Sequence, residues 1–147
     1  MTASDPPYSV AINIDSPPDP QYVLELAEAF AQIVRALNHL TRDHEALEFP
    51  AEGDHVLREL SSAAARLPQL LDQIAGWYER EAAAGKLEAV SGAWAGMPGM
   101  AVAAIRMRAD AARMTAEQLQ ADIASVAEVT STLAAAETSE DGGDDAG

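Results

Sequence analysis

The chain has 147 residues, 48% hydrophobic and 22% charged, with a net charge of −15 and no cysteine. That length and composition fit one soluble domain with a hydrophobic core. They exclude disulfides, thiolate metal sites and cysteine nucleophiles, and the acidity disfavours direct binding to nucleic acid or anionic membrane. The acidity is concentrated at the ends. Asp5, Asp15 and Asp19 lie in a head without a basic residue, and Glu137, Glu140, Asp141, Asp144 and Asp145 lie in a tail without one.

The head, residues 1–19, is rich in Pro, Ser and Asp. Its start has neither a basic n-region nor an apolar h-region, so no signal peptide is expected and a cytoplasmic location is. Within it Tyr8, Val10, Ile12 and Ile14 alternate with Ser9, Ala11, Asn13 and Asp15. This period of two predicts a short strand over 8–14. Asp19-Pro20 then opens a first helix, predicted over 20–41, because aspartate accepts from first-turn amides and proline fits the first helical position. Its apolar stripe is Val23, Leu26, Phe30, Ile33, Leu37 and Leu40.

A connection over 42–53 leads to a second helix, predicted from a cap at Asp54 to about 84, with Gly85 as terminator. Its seam reads Val56, Leu60, Ala63, Leu67, Leu70, Ile74 and Trp77, widened by Leu57, Ala64, Leu71 and Tyr78. Pro68 removes one ladder hydrogen bond and crowds the carbonyl of Ala64, which predicts a kink. Residues 85–99 form a glycine-rich loop with Trp94 and Met97. The uncharged run Ala89 to Ile105 reaches the lower edge of membrane-spanning length, but Gly92, Gly96, Pro98 and Gly99 interrupt it. A third helix is predicted over 100–136. Its stripe is Val102, Ile105, Ala109, Ala112, Ala116, Leu119, Ile123, Val126, Thr130 and Leu133. Residues 137–147 are acidic and lack an apolar anchor, so a disordered tail is expected.

Continuous seams on one short and two long helices predict an all-α three-helix bundle over 20–136, with a kinked second helix. At 1.5 Å per residue the helices would be about 33, 46 and 55 Å long. The first is too short to cover the hairpin of the other two, which leaves Trp77, Tyr78, Trp94, Met97 and Met100 at the uncovered end. A second column on the third helix, Met100, Ala104, Met107, Ala111 and Met114, lies nearly opposite its main stripe. The Tyr8–Ile14 segment could fold over that column, or the first helix could pack higher. Alternatively it is an interface, since methionine-lined faces adapt to varied partners. Arg106, Arg108 and Arg113 would rim it, partly satisfied by Asp110 and Glu117 at helical spacing.

The remaining chemistry is sparse. His39, His44 and His55, with Asp43, Glu45, Glu52 and Asp54 nearby, are the residue types that ligate zinc. The spacing opposes it: five residues on a helix turn two side chains about 140° apart, unlike an i,i+4 metal pair. No nucleophile or oxyanion motif accompanies the histidines, and Ser61-Ser62 lie mid-helix without a sharp turn. Gly92, Gly96 and Gly99 lack the preceding strand and the lysine of a phosphate loop. A strand followed by helices is also the order of ribbon-helix-helix repressors, but the polar strand face Ser9, Ala11, Asn13 and Asp15 carries no base to meet a phosphate. No cofactor or metal is expected, and no enzyme.

Trp94-Ala95-Gly96, in a loop between two long helices, resembles the WXG-type helical-hairpin proteins, small dimeric substrates of type VII secretion. The resemblance covers about 54–137 and implies a secreted, dimeric helical hairpin. The chain departs from that family in its length, in its additional helix, and in lacking a Tyr-x-x-x-Asp/Glu signal, since no tyrosine follows Tyr78. Its 32 alanines and eight arginines against one lysine also resemble small helical proteins of high-GC actinobacteria, some carried on mobile elements, which implies a lineage and no activity. The expectation is a non-enzymatic interaction or oligomerisation module. It would meet a second copy or another protein through Trp77, Tyr78, Trp94, Met97, Met100, Met107 and Met114. The alternative from a different class is an acidic, antitoxin-like inhibitor of a basic partner.

Overall fold

The computed structural model of the chain describes residues 12–134. Among them every long element is helical: α1 (Pro20–Leu40), α2 (Pro50–Ala64), α3 (Leu67–Ala83) and α4 (Pro98–Thr130), with single 3₁₀ turns at His44–Ala46 and Gly92–Trp94. The fold is therefore all-α. It has three long helices, of which the second is bent, α2 and α3 being its two arms. The chain divides into two compact units, Met1–Glu48 and Phe49–Gly147.

In the first unit, the expected strand at 8–14 falls partly outside the described residues, and the part within them is a turn. The Asp15 amide donates to Asn13 Oδ1 at 3.1 Å, and the Ser16 amide donates to the Asn13 carbonyl at 3.3 Å. Asparagine's short amide imitates a backbone turn and overrides the alternation. The Asn13 amide donates in turn to the Tyr22 hydroxyl at 2.8 Å. α1 begins as expected: Asp19 Oδ1 accepts from the Gln21 amide at 2.9 Å, with Pro20 in the first turn. None of its residues is buried. The predicted acidic tail at 137–147 lies outside the described residues.

The second unit is a hairpin in which α4 runs back along both arms. α2 starts at Pro50, four residues before the predicted cap. Glu52 reaches back to accept from the Phe49 amide at 3.2 Å, which caps the helix from within. Asp54 instead binds the Arg58 side chain at 2.8 Å and receives the Thr130 hydroxyl of α4 at 3.1 Å.

The bend falls where Pro68 places it, though it breaks the helix into two arms where a kink was predicted. The Arg66 amide bonds the Ala63 carbonyl, three residues back, at 3.1 Å. That leaves the Ser62 carbonyl without its ladder partner. The Arg66 guanidinium supplies one, donating to the Ser62 carbonyl and hydroxyl at 2.6 Å each.

α3 ends at Gly85 as expected. Gly85 has φ +70°, its amide bonds the Ala82 carbonyl at 2.9 Å, and the Lys86 amide bonds the Glu81 carbonyl at 3.0 Å. This is the paired closure that a left-handed glycine permits. α4 stops at Thr130, short of the predicted 136. The hydroxyls of Ser131 and Thr132 donate to the carbonyls of Glu128 and Val129 at 2.7 Å each. Two successive hydroxyls thus take acceptors that a longer helix would give to its next amides.

Candidate interaction surface

Alanine sets how close the two sides of the hairpin come. The buried residues are Ala64, Ala75, Val102, Ala116 and Ala127, and none of the described residues is both polar and buried. The inner face of the bent helix runs through Leu57, Ser61, Ala64, Leu71, Ala75, Tyr78 and Ala82. On α4 it runs through Val102, Ala109, Ala116, Gln120, Ile123, Ala127 and Thr130. On the bent helix the seam read from the sequence is displaced by one position; on α4 Val102, Ala109, Ala116, Ile123 and Thr130 of the predicted stripe face inward as expected. Leu60, Leu70, Ile74 and Trp77, expected inside, are exposed, and so are Leu119, Val126 and Leu133. The column regarded as a widening, Leu57, Ala64, Leu71 and Tyr78, faces inward.

One flank of the hairpin is ionic. Arg106, with 26% of its side chain exposed, donates to Glu79 through Nε and Nη2, each at 2.7 Å, and to Asp72 through Nη1 at 2.8 Å. Arg113 lies 3.4 Å from Asp110 and 3.7 Å from Asp72. The forked pair with Arg106 holds the Glu79 carboxyl below its ordinary value, and Glu79 and Asp72 hold Arg106 charged. Asp54 is likewise lowered, first by its hydrogen bond from Arg58 and, more weakly, by Thr130. Arg106 was expected to rim the methionine column; it crosses to α3 instead. Gly76 lies beside it: a Cβ there would stand 3.7 Å from Arg106 Nη2, an ordinary contact. Farther along, Gln120 Nε2 donates to Ser61 Oγ at 3.2 Å.

The opposite flank is apolar. Helical periodicity puts Leu60, Leu67, Leu70, Ile74 and Trp77 of the bent helix on the side away from Asp72 and Glu79. It puts Ile105, Ala112, Leu119 and Val126 of α4 on the side away from Arg106. The outward face of α4 carries Met100, Met107 and Met114, the last two 66% and 71% exposed. At seven-residue intervals these methionines stand about 10 Å apart.

The seven residues named from the sequence all belong to this second unit. Trp77, on α3, is 47% exposed and meets half-buried Tyr78 edge-on, with ring centroids 4.9 Å apart. Trp94 closes the 3₁₀ turn, and its carbonyl accepts from the Met97 amide at 2.8 Å. Met97 precedes α4 and accepts the Ala101 amide. Gly96 follows with φ +75°, its amide on the Ala89 carbonyl at 2.8 Å. Among the described residues only the Trp77–Tyr78 pair forms a ring contact. Sequence reasoning misses the exposure of Leu119 and Val126, because their stripe reads as core; Ile105 and Ala112 of the same stripe are half-buried.

His39 and His44 lie in the first unit along a shallow depression with Leu40, Arg42 and Asp43, and His55 is an exposed residue of the second. Among the described residues no group of three metal-ligating side chains converges. No helix among them is long and apolar enough to cross a membrane. Comparison of the chain with protein-family models, curated proteins and solved structures gives no match.

Proposed function

We propose that this chain is a non-enzymatic helical interaction module that self-associates or docks on another protein through the outward surface of α3, the connecting loop and α4. The observation that supports this is where the large apolar side chains lie. The hairpin buries mainly alanine, while Trp77, Trp94, Met97, Met100, Met107 and Met114 remain exposed. An apolar surface of that extent marks a binding face more often than an idle one, and methionine suits an adaptable contact. Met107→Glu, at the middle of the methionine column, should turn an assembly into a monomer by light scattering, or abolish capture of the partner, with its circular dichroism unchanged. An unchanged mass and unchanged capture would refute the proposal.

A second reading, a secreted WXG-type hairpin, is favoured by the position of Trp94-Ala95-Gly96 at the turn between two antiparallel helical arms. Under that reading, replacing Trp94 and Gly96 together should abolish export from a cell with a type VII system. Export that persists would set this reading aside.

A further inference from the structure

We infer that a second copy of this chain packs against α4 antiparallel, about a two-fold axis passing near Thr115. This deepens the self-association reading above and rests on it. The pattern on the outer flank of α4 carries the inference. Ile105, Ala112, Leu119 and Val126 recur every seven residues, and Arg108, Thr115 and Asp122 recur every seven residues beside them. Seven-residue spacing keeps each set on one line of the helix surface. The first line borders the hairpin seam: Ile105 and Ala112 are half-buried there, while Leu119 is 47% and Val126 50% exposed. The second runs from a cation through a neutral centre to an anion, and all three of its residues are exposed.

This order is complementary to itself when reversed. Turning α4 end for end about a point near Thr115 sets Arg108 opposite the copy's Asp122, and by symmetry Asp122 opposite its Arg108. The same turn sets Ile105 opposite Val126 and Ala112 opposite Leu119, so a small residue receives a large one at the centre. A surface that matches its own rotated image is what a two-fold interface requires, and complementary charge fixes the register. Arg108 has no hydrogen-bond or ion-pair partner among the described residues. Asp122 uses Oδ1 to accept from Gln118 at 2.8 Å, which leaves Oδ2 open. The centre of the line is concave, a shallow depression bordered by Met114, Thr115, Gln118, Leu119 and Asp122. A parallel copy would set Arg108 against Arg108 and Asp122 against Asp122.

The test is charge reversal in the full chain, read by sedimentation equilibrium. Arg108→Asp and Asp122→Arg should each raise the dimer dissociation constant about tenfold or more, because each change places like charges at two symmetric points. The double variant should return close to the parent value. The chain has no cysteine of its own, so Thr115→Cys should cross-link to itself under mild oxidation while Ala103→Cys, off this flank, does not. Neutral single variants, a double variant no tighter than the singles, or no cross-link at Thr115 would overturn the inference. If Met107→Glu dissociates the assembly while the charge reversals do nothing, self-association stands and this geometry fails. A chain monomeric at the highest attainable concentration overturns the geometry and leaves only a different protein as partner.

Discussion

The alanine seam makes a quantitative demand at Ala75. This residue is 1% exposed, on α3 between Asp72 and Glu79, the two carboxylates that Arg106 of α4 binds. Leucine there adds three carbons to a site with no open side. The rotamer cannot escape along the seam without displacing a helix, and displacing α4 would lengthen three hydrogen bonds from Arg106 that are now 2.7, 2.7 and 2.8 Å. Overpacking of a tight core costs about 1–3 kcal/mol. In a domain of about 100 residues each kcal/mol lowers the melting temperature by about 4–8 °C. Ala75→Leu should therefore melt about 5–20 °C below the parent. The matched control is Ala103→Leu, on an exposed turn of α4, where leucine and alanine differ by only tenths of a kcal/mol in helix propensity. Urea unfolding followed by far-UV circular dichroism measures both. If the two variants unfold together, or Ala75→Leu matches the parent, the two sides of the hairpin do not meet on alanine and the packing argument is wrong.

Two glycines should respond in opposite senses to alanine. At Gly76, inside α3, a Cβ would meet only the ends of the Arg80 and Arg106 side chains, at 3.3 and 3.7 Å; Gly76→Ala should stabilise by about 0.5–1 kcal/mol, and a loss in thermal melts would refute it. At Gly85, φ +70° penalises a side chain despite the open space around it; Gly85→Ala should destabilise by about 1 kcal/mol, and no change would refute the left-handed closure. Glu79 and Asp54 are held below their ordinary values of 4.5 and 3.8. The stability they contribute is present in full above those values and lost as pH falls through the lower, folded-state values. Urea midpoints should therefore drop steeply below about pH 4, and Glu79→Gln should flatten that drop; parallel curves for parent and variant would contradict it.

The sequence disclosed the helices better than their faces. Asp19-Pro20 and Gly85 marked boundaries because each supplies a specific piece of backbone chemistry, an acceptor for free amides or a left-handed φ. Pro68 marked the bend for the same reason. The seam was harder because adjacent apolar columns on one helix differ by a rotation of only about 100°. Leu60, Leu70 and Leu119 looked like core by size, but the close approach of α4 admits alanine and sends leucine outside. Polar seam members such as Ser61, Gln120 and Thr130 carried no hydrophobic signal, although they bond across the interface. The early stop of α4 was written in Ser131-Thr132, whose hydroxyls take the last carbonyls. The exposed surface followed from the same slip: most of the residues named for it lie outside, while the column beside them was hidden by being counted as interior.

A seam built from alanine has a consequence for alignment. At the most buried levels the knobs are alanine, Ala64, Ala75, Ala116 and Ala127, and equal small knobs do little to distinguish the observed pairing of α4 from one slid by a helical turn. The polar bonds do distinguish them. Asp54 with Thr130, Ser61 with Gln120, and Asp72 and Glu79 with Arg106 sit at three separate heights along the hairpin. A slide of one turn, about 5.4 Å, would break all three at once. These pairs act as fiducial marks along the rail, beside larger inward side chains such as Leu57, Leu71 and Ile123, and they fix which residues the hairpin displays along its length.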